Sequence, residues 1–266
     1  MDIGPARVAL LGGFELRLGE ETVPHLPRGV QRLVAHLGLV RQPARAAVAG
    51  QLWPDVPEEQ AHASLRSALW RLRRAAPGLV SMSGGGLSLA QDVRVDVRET
   101  GRWAQRVLDP RGAVPDAVPG DAELRGELLP GWYDDWVVLE RERLRQLCTY
   151  ALEALADKLA RVGRYGEAVQ AAHCAVRVEP LRETAHRTLV RIHLAEGNPG
   201  EAVRVYESFR AVLAAELGVS PSPRMEALIA RVRRPPAAPT VIRSGVSCPP
   251  LRSTSSSRAA AAVTGA

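Results

Sequence analysis

A seven-residue pattern occurs twice in this chain, 34 residues apart: Gly163-Arg164-Tyr165-Gly166-Glu167-Ala168-Val169 and Gly197-Asn198-Pro199-Gly200-Glu201-Ala202-Val203. That period belongs to stacked helix pairs, none of which can bury its apolar face alone. The glycines permit a tight turn between paired helices, and Ala168 and Ala202 are small enough for the two helices to pack closely. The repeat therefore commits the second half of the chain to antiparallel helices. Beyond a Pro- and Gly-containing passage near residues 109–120, the apolar spacing is helical almost throughout, up to Val232.

The first hundred residues follow a different rhythm. Val8 to Leu11 are apolar, and Phe14, Leu16 and Leu18 alternate with Glu15 and Arg17 before a Gly19-Glu20-Glu21 turn, which predicts a half-buried hairpin over 7–23. Three helices follow. The first carries Val30, Leu33, Val34 and Leu37 on one face. The second carries Val48 and Leu52 and ends near Trp53-Pro54. The third runs from about Glu58 to Ala76, opened by Pro57 and closed by Pro77-Gly78. Over 79–97 the period returns to two. Leu79 to Met82 and Leu87 to Leu89 flank Ser83-Gly84-Gly85-Gly86, and Val93, Val95 and Val97 alternate with Arg94 and Asp96, which predicts a second hairpin. Gly84 to Gly86 suit a hairpin turn or a close approach to phosphate. No GK[ST] follows, so they form no P-loop.

Charge matters here by location. The net charge of +6 is concentrated at the end: residues 231–266 hold 6 Arg and no acid, whereas residues 1–100 hold 12 Arg against 10 acids and residues 101–230 hold 17 Lys or Arg against 19. Overall basicity is therefore weak evidence for a nucleic-acid partner. One helix is stronger evidence. On the third helix Leu65, Ala68, Leu69 and Leu72 share one side, while Ala63, Ser67, Trp70 and Arg74 occupy the other, flanked by Arg66 and Arg71. Between Gln60 and Ala76 there are four arginines, Arg66, Arg71, Arg73 and Arg74, and no acid. A cationic face with a hydroxyl and an indole suits a major groove, where Arg reads guanine bidentately or binds phosphate. A solvated basic face has the same composition. The position of this helix, third of three and just ahead of a glycine-turned hairpin, favours a winged helix-turn-helix reader. Trp70 suits a sugar or a thymine methyl, or equally the protein's own wing.

The sequence resembles the actinomycete antibiotic regulatory proteins, the SARP family, which join an OmpR-type winged helix to a bacterial transcriptional activator domain (BTAD) of tetratricopeptide-like helices. The residues that carry the resemblance are Gln51-Leu52-Trp53-Pro54, Ser64 through Arg74, and Val93-Arg94-Val95-Asp96-Val97. In the second half they are Gly126-Glu127-Leu128-Leu129-Pro130-Gly131 with Trp132 and Trp136, Glu140 through Arg145, Glu179-Pro180-Leu181-Arg182-Glu183, and Glu216 through Pro223. The resemblance spans roughly residues 7–232. It implies an α+β winged helix over 1–98, an all-α TPR-like domain over 99–234, and a tail over 235–266. The tail's Pro-, Ser- and Ala-rich sequence is that of a disordered segment. It also implies an activator that binds double-stranded promoter DNA at direct repeats beside a second copy of itself. Such an activator recruits the RNA polymerase holoenzyme to specialised-metabolite gene clusters of the antibiotic type. The DNA-binding residues are expected to be Arg66, Ser67, Trp70, Arg71, Arg73 and Arg74. Larger family members append nucleotide-binding and sensor domains, and the expectation here is the short form. The rival reading is a TPR-like interaction scaffold whose winged helix is structural.

Other residue groups support no chemistry of their own. Cys148, Cys174 and Cys248 are odd in number and lack a CxxC pair, so neither a disulfide framework nor a zinc ribbon is expected, and a reducing cytoplasm, at the nucleoid, fits. The stretch Val8 to Leu11 is too short for a signal-peptide core, and no membrane segment is expected. His186 and His193 lie two turns apart rather than at the four-residue zinc spacing. Asp134, Asp135 and Glu140 read as helix-start acids. No cofactor, metal or catalytic group is expected. Trp132 and Trp136, four apart, are expected to be interdomain or core anchors, and Glu140-Arg141-Glu142-Arg143 a solvated face without a specific contact.

Overall fold

The computed structural model describes residues 5–114 and 126–233. The tail expected over 235–266 lies outside the described residues. Strands β1 (Ala6–Ala9) and β2 (Glu15–Leu18) form the expected first hairpin with Val8 opposite Leu16, and β3 (Glu21–Thr22) extends it antiparallel to β2. Helices α1 (Arg28–Leu39), α2 (Arg45–Leu52) and α3 (Glu58–Ala75) follow at the expected places. Their apolar faces meet in one core holding Leu33, Val34, Leu37, Val48, Leu52, Leu65 and Leu72.

The second hairpin is shorter than expected. Its strands, β4 (Val80–Ser83) and β5 (Gly86–Leu89), form a separate two-stranded sheet, with Ser83 opposite Gly86. That register leaves a two-residue turn, Gly84-Gly85, with φ of 58° and 78°. Positive φ at both positions is what a type I′ turn needs, and glycine adopts it without steric cost. Gly86 has a different reason: a Cβ would stand 2.8 Å from Gln42 Cγ and 3.2 Å from its carbonyl. Val93 to Val97 do not continue this hairpin. Strand β6 (Arg94–Val95) instead lies parallel to β1, giving the sheet order β3-β2-β1-β6, and Val97 falls in the first turn of a helix. Residues i and i+4 share a face in a helix as they do in a strand, so Val93 and Val97 carry no information about which of the two forms.

That helix, α4 (Asp96–Leu108), belongs to both halves. At its start Asp96 Oδ2 accepts hydrogen bonds from the backbone N–H of Leu10 (2.8 Å) and Leu11 (2.9 Å). Arg98 donates from Nε to the Gly38 carbonyl and from Nη2 to the Leu37 carbonyl, satisfying free acceptors at the end of α1. Farther along, Trp103, Ala104 and Val107 enter the core of the helical half. Residue 98 therefore stands in the first turn of a continuous helix, and the described residues up to Arg233 form one compact unit. Lys158, the only lysine, fixes the far end of α4 by donating to the carbonyls of Asp109 (2.6 Å) and Gly112 (3.0 Å).

The helical half continues with α5 (Asp135–Arg161), α6 (Tyr165–Val178), α7 (Glu183–Glu196), α8 (Pro199–Leu217) and α9 (Pro223–Arg233). The 34-residue repeat has the structural effect expected of it. Gly163 and Gly197 take φ of 77° and 89° at the two turns, and Ala168 and Ala202 are fully buried in the helices that follow. The chain is thus an α+β winged helix followed by an all-α, TPR-like domain.

Candidate nucleic-acid interface

Helix α3 is held by its apolar stripe and presents everything else. Ala61, Leu65, Ala68 and Leu72 are buried and Leu69 is half-buried, whereas Arg66, Ser67, Trp70, Arg71, Arg73 and Arg74 are all exposed. Glu58 and Glu59 in its first turn and Arg73 and Arg74 in its last complement the helix dipole. Among the described residues, Arg66, Arg71 and Arg73 have no carboxylate within ion-pair distance. The Arg74 guanidinium lies 4.9 Å over the Trp70 ring, which is 58% exposed. Trp70 therefore stands away from the wing. The crevice between α3 and the wing is lined instead by Leu69, Leu72, Arg73, Val80 and Met82.

The wing is anchored beside α2. Ala44 and Gly86 form a bridge, the Leu87 N–H donates to the Pro43 carbonyl (3.0 Å), and Gln42 Nε2 reaches Ser83 Oγ (3.1 Å). Arg45, in the first turn of α2, donates its backbone N–H to the Gly85 carbonyl and brings a second cation beside the wing. Sequence reasoning missed Arg45 because only the hairpin contact places it near the third helix.

A second set of residues joins this reader to the helical half. The segment 126–132 lies against the β1–β2 turn. The Gly12 N–H donates to the Glu127 carbonyl (2.9 Å) and the Leu129 N–H to the Leu10 carbonyl (2.8 Å), and Leu128, Leu129 and Trp132 complete the winged-helix core. Trp132 precedes α5, so it does not pair with Trp136 across a helical turn. It stacks on Phe14 (6.1 Å) under the Arg28 guanidinium (3.5 Å), while Trp136 meets the His36 ring edge-on at 5.3 Å. The two tryptophans are interdomain anchors, each with its own socket. Asp134 is also more than a helix-start acid, because it ion-pairs with Arg32 and, at 4.0 Å, with Arg28.

Arg141 overturns the expectation of a solvated Glu140–Arg143 face. It donates from Nε to the Leu128 carbonyl and from Nη2 to the carbonyls of Leu129 and Trp132, and it pairs with Glu127 at 3.1 Å. Its signal was in the spacing: Arg141 shares a face with the buried Val137, Leu144 and Cys148. Arg143 does remain on the surface, paired with Glu140.

A family model described as "Bacterial transcriptional activator domain" matches residues 92–233, more than half of the 266 residues. The chain belongs to that family. The bacterial transcriptional activator domain thus begins before β6 and takes in Asp96, whose carboxylate ties it to the winged helix. Two relatives are each described as "Regulatory protein AfsR". The one from Streptomyces coelicolor is 32% identical over 247 residues, 86% of this chain and 24% of that protein. The one from Streptomyces griseus is 33% identical over 222 residues, 77% of this chain and 22% of that protein. The chain spans about a quarter of the length of these relatives. A solved structure of Mycobacterium tuberculosis EmbR in complex with a low affinity phosphopeptide has a TM-score of 0.64 at 21% identity, over 86% of this chain and 65% of EmbR. That likeness shows the fold. The SARP-type kinship read from the sequence holds, and its family is one of transcription regulators. Among the described residues no helix is long and apolar enough to cross a membrane, and no group of three His, Cys, Asp or Glu is placed to hold a metal.

Proposed function

We propose that this chain is a sequence-specific DNA-binding activator of transcription that reads double-stranded promoter DNA with α3. The observation that carries this reading is the set of exposed arginines on α3, which have no acidic partner among the described residues and flank Ser67 and Trp70 on one face. An unpaired guanidinium on a rigid helix keeps its donors for a ligand and needs no ion pair broken before it binds. Arg66, Ser67, Trp70 and Arg71 meet base edges, while Arg73 and Arg74 meet phosphates. Arg45 and the Gly84-Gly85 turn approach the backbone on the wing side.

Residues 1–98 carry recognition. The domain over 99–234 positions a second copy on direct repeats and supplies the surface that meets RNA polymerase holoenzyme at specialised-metabolite genes. The Streptomyces relatives, both named as regulatory proteins, support that assignment. Genome-wide footprinting on the native chromosome identifies the operator, and fluorescence anisotropy on that operator tests the reader. The expected result is saturable binding with a steep salt dependence, since each phosphate contact releases counterions. Binding that is equally tight on unrelated duplex DNA contradicts sequence-specific reading.

A further inference from the structure

The junction between the two halves forms a half-open cavity of about 680 Å³. We propose that this cavity is a binding site for a small amphipathic organic anion. Its volume falls within the range of sites that hold drug-sized ligands, and its walls come from both halves, a common place for such sites. Leu11 reaches it from the β1–β2 turn, Thr100 from α4 and Leu128 from the docking segment. Leu144 and Cys148 reach it from α5 and Val178 from the end of α6.

The floor is apolar and carries no charge. Leu11, Leu128, Leu144 and Val178 are hydrocarbon, and burial pushes the Cys148 thiol up to about 11, so it remains neutral. An apolar body placed there leaves water at no cost in broken hydrogen bonds. The charged residues on the wall are unequal in number: Arg141, Arg145 and Arg177 against Glu127. Arg141 and Arg145 are held in place by existing contacts, Arg141 on the carbonyls of the docking segment and Arg145 between Glu142 and Glu179. Arg141 commits Nε and Nη2 to those carbonyls and keeps Nη1, so it can accept an anionic head without giving up its structural role. A carboxylate or sulfonate attached to a hydrophobic body matches both features. Such an occupant touches the winged-helix turn and α5 together, so binding raises the stability of the whole unit.

The test uses the full chain and two dyes of the same shape. 1-Anilinonaphthalene-8-sulfonate carries the anion, and N-phenyl-1-naphthylamine lacks it. The expected result is saturable one-to-one binding of the sulfonate, about tenfold tighter than the neutral dye, which corresponds to one charge-assisted contact. The amide resonances that shift should be those of Leu11, Thr100, Gly126 and Val178. Arg177→Glu, on an exposed side chain, should weaken the sulfonate by about tenfold and leave the neutral dye unchanged. Leu144→Trp should fill the floor and abolish both. If the Leu144 variant fails to fold, as a thermal melt shows, the Arg177 comparison still decides. Absence of saturable binding, shifts centred on exposed residues such as Tyr133 and Leu139, or equal affinity for the two dyes each overturns the assignment.

Discussion

Arginine is used in opposite ways on helix α3 and on the helices of the second half, whereas elsewhere in the winged helix Arg17, Arg32 and Arg94 are paired with carboxylates. On α3, Arg66, Arg71 and Arg73 stand exposed with no carboxylate partner among the described residues, and Arg74 lies over the neighbouring indole. On α5 to α8 the arginines are committed. Arg143 holds Glu140, Arg145 holds Glu142 and Glu179, Arg182 holds Glu153, Arg187 holds Glu183, and Arg191 holds Asp157. Arg182 has its ordinary pKa pushed further up, where burial is outweighed by hydrogen bonds and attraction from Glu153, Tyr150 and Glu179. The contrast separates arginine that builds a surface from arginine that offers one. A helix that carries four exposed guanidinium groups without a carboxylate partner among the described residues needs its fold secured by other residues, and the buried Leu65, Ala68 and Leu72 secure it.

Cutting the two halves apart should have the largest effect. A fragment ending at Arg98 loses Leu128, Leu129, Trp132 and Val137 from the winged-helix core, so it should melt far below the full chain in calorimetry. An equally stable fragment would mean that the helical half is only appended. Next, Arg141→Ala strips the donor from three carbonyls and should cost about 3 kcal/mol in urea unfolding, while operator affinity of the folded protein stays unchanged.

Arg66→Ala should reverse that pattern, weakening operator binding by about 1–3 kcal/mol with no shift in the melting temperature. A smaller effect concerns His36 at the Trp136 contact. Burial holds its pKa below the usual imidazole value, against the hydrogen bond with Gln51 that raises it. The neutral ring therefore stabilises the fold fully above about pH 6.5, and that contribution is lost as pH falls through the lowered folded pKa. Urea midpoints from pH 7 to 5 should fall more steeply in the wild type than in His36→Gln. Smallest of all, Arg204→Ala removes an exposed pair with Glu201 and should leave the midpoint within experimental error.

The reader was legible in the sequence because its determinants are local. Eighteen consecutive residues of α3 contain both the buried stripe and the cationic face, and the wing turn declares itself in Ser83-Gly84-Gly85-Gly86. The repeat was legible for the same reason, since Gly163 and Ala168 stand five residues apart. The junction was not. Asp96 meets Leu10 across 86 positions, Leu129 meets Leu10 across more than a hundred, and β6 joins β1 by a parallel pairing that no turn announces. Arg141 was hidden by its neighbours: the alternation of Glu140, Arg141, Glu142 and Arg143 reads as a solvated face until Val137 and Leu144 are seen to share its side.

The most direct test of the account is operator affinity against salt concentration for the full chain and for the double variant Arg66→Ala and Arg71→Ala, with an unfolding curve on each sample. The double variant should keep the wild-type melting temperature and lose about 2–6 kcal/mol of specific binding, the two positions acting independently. Residual binding should approach that on unrelated duplex DNA. Operator affinity that is unchanged in the folded double variant would contradict the central claim and remove α3 as the reading surface.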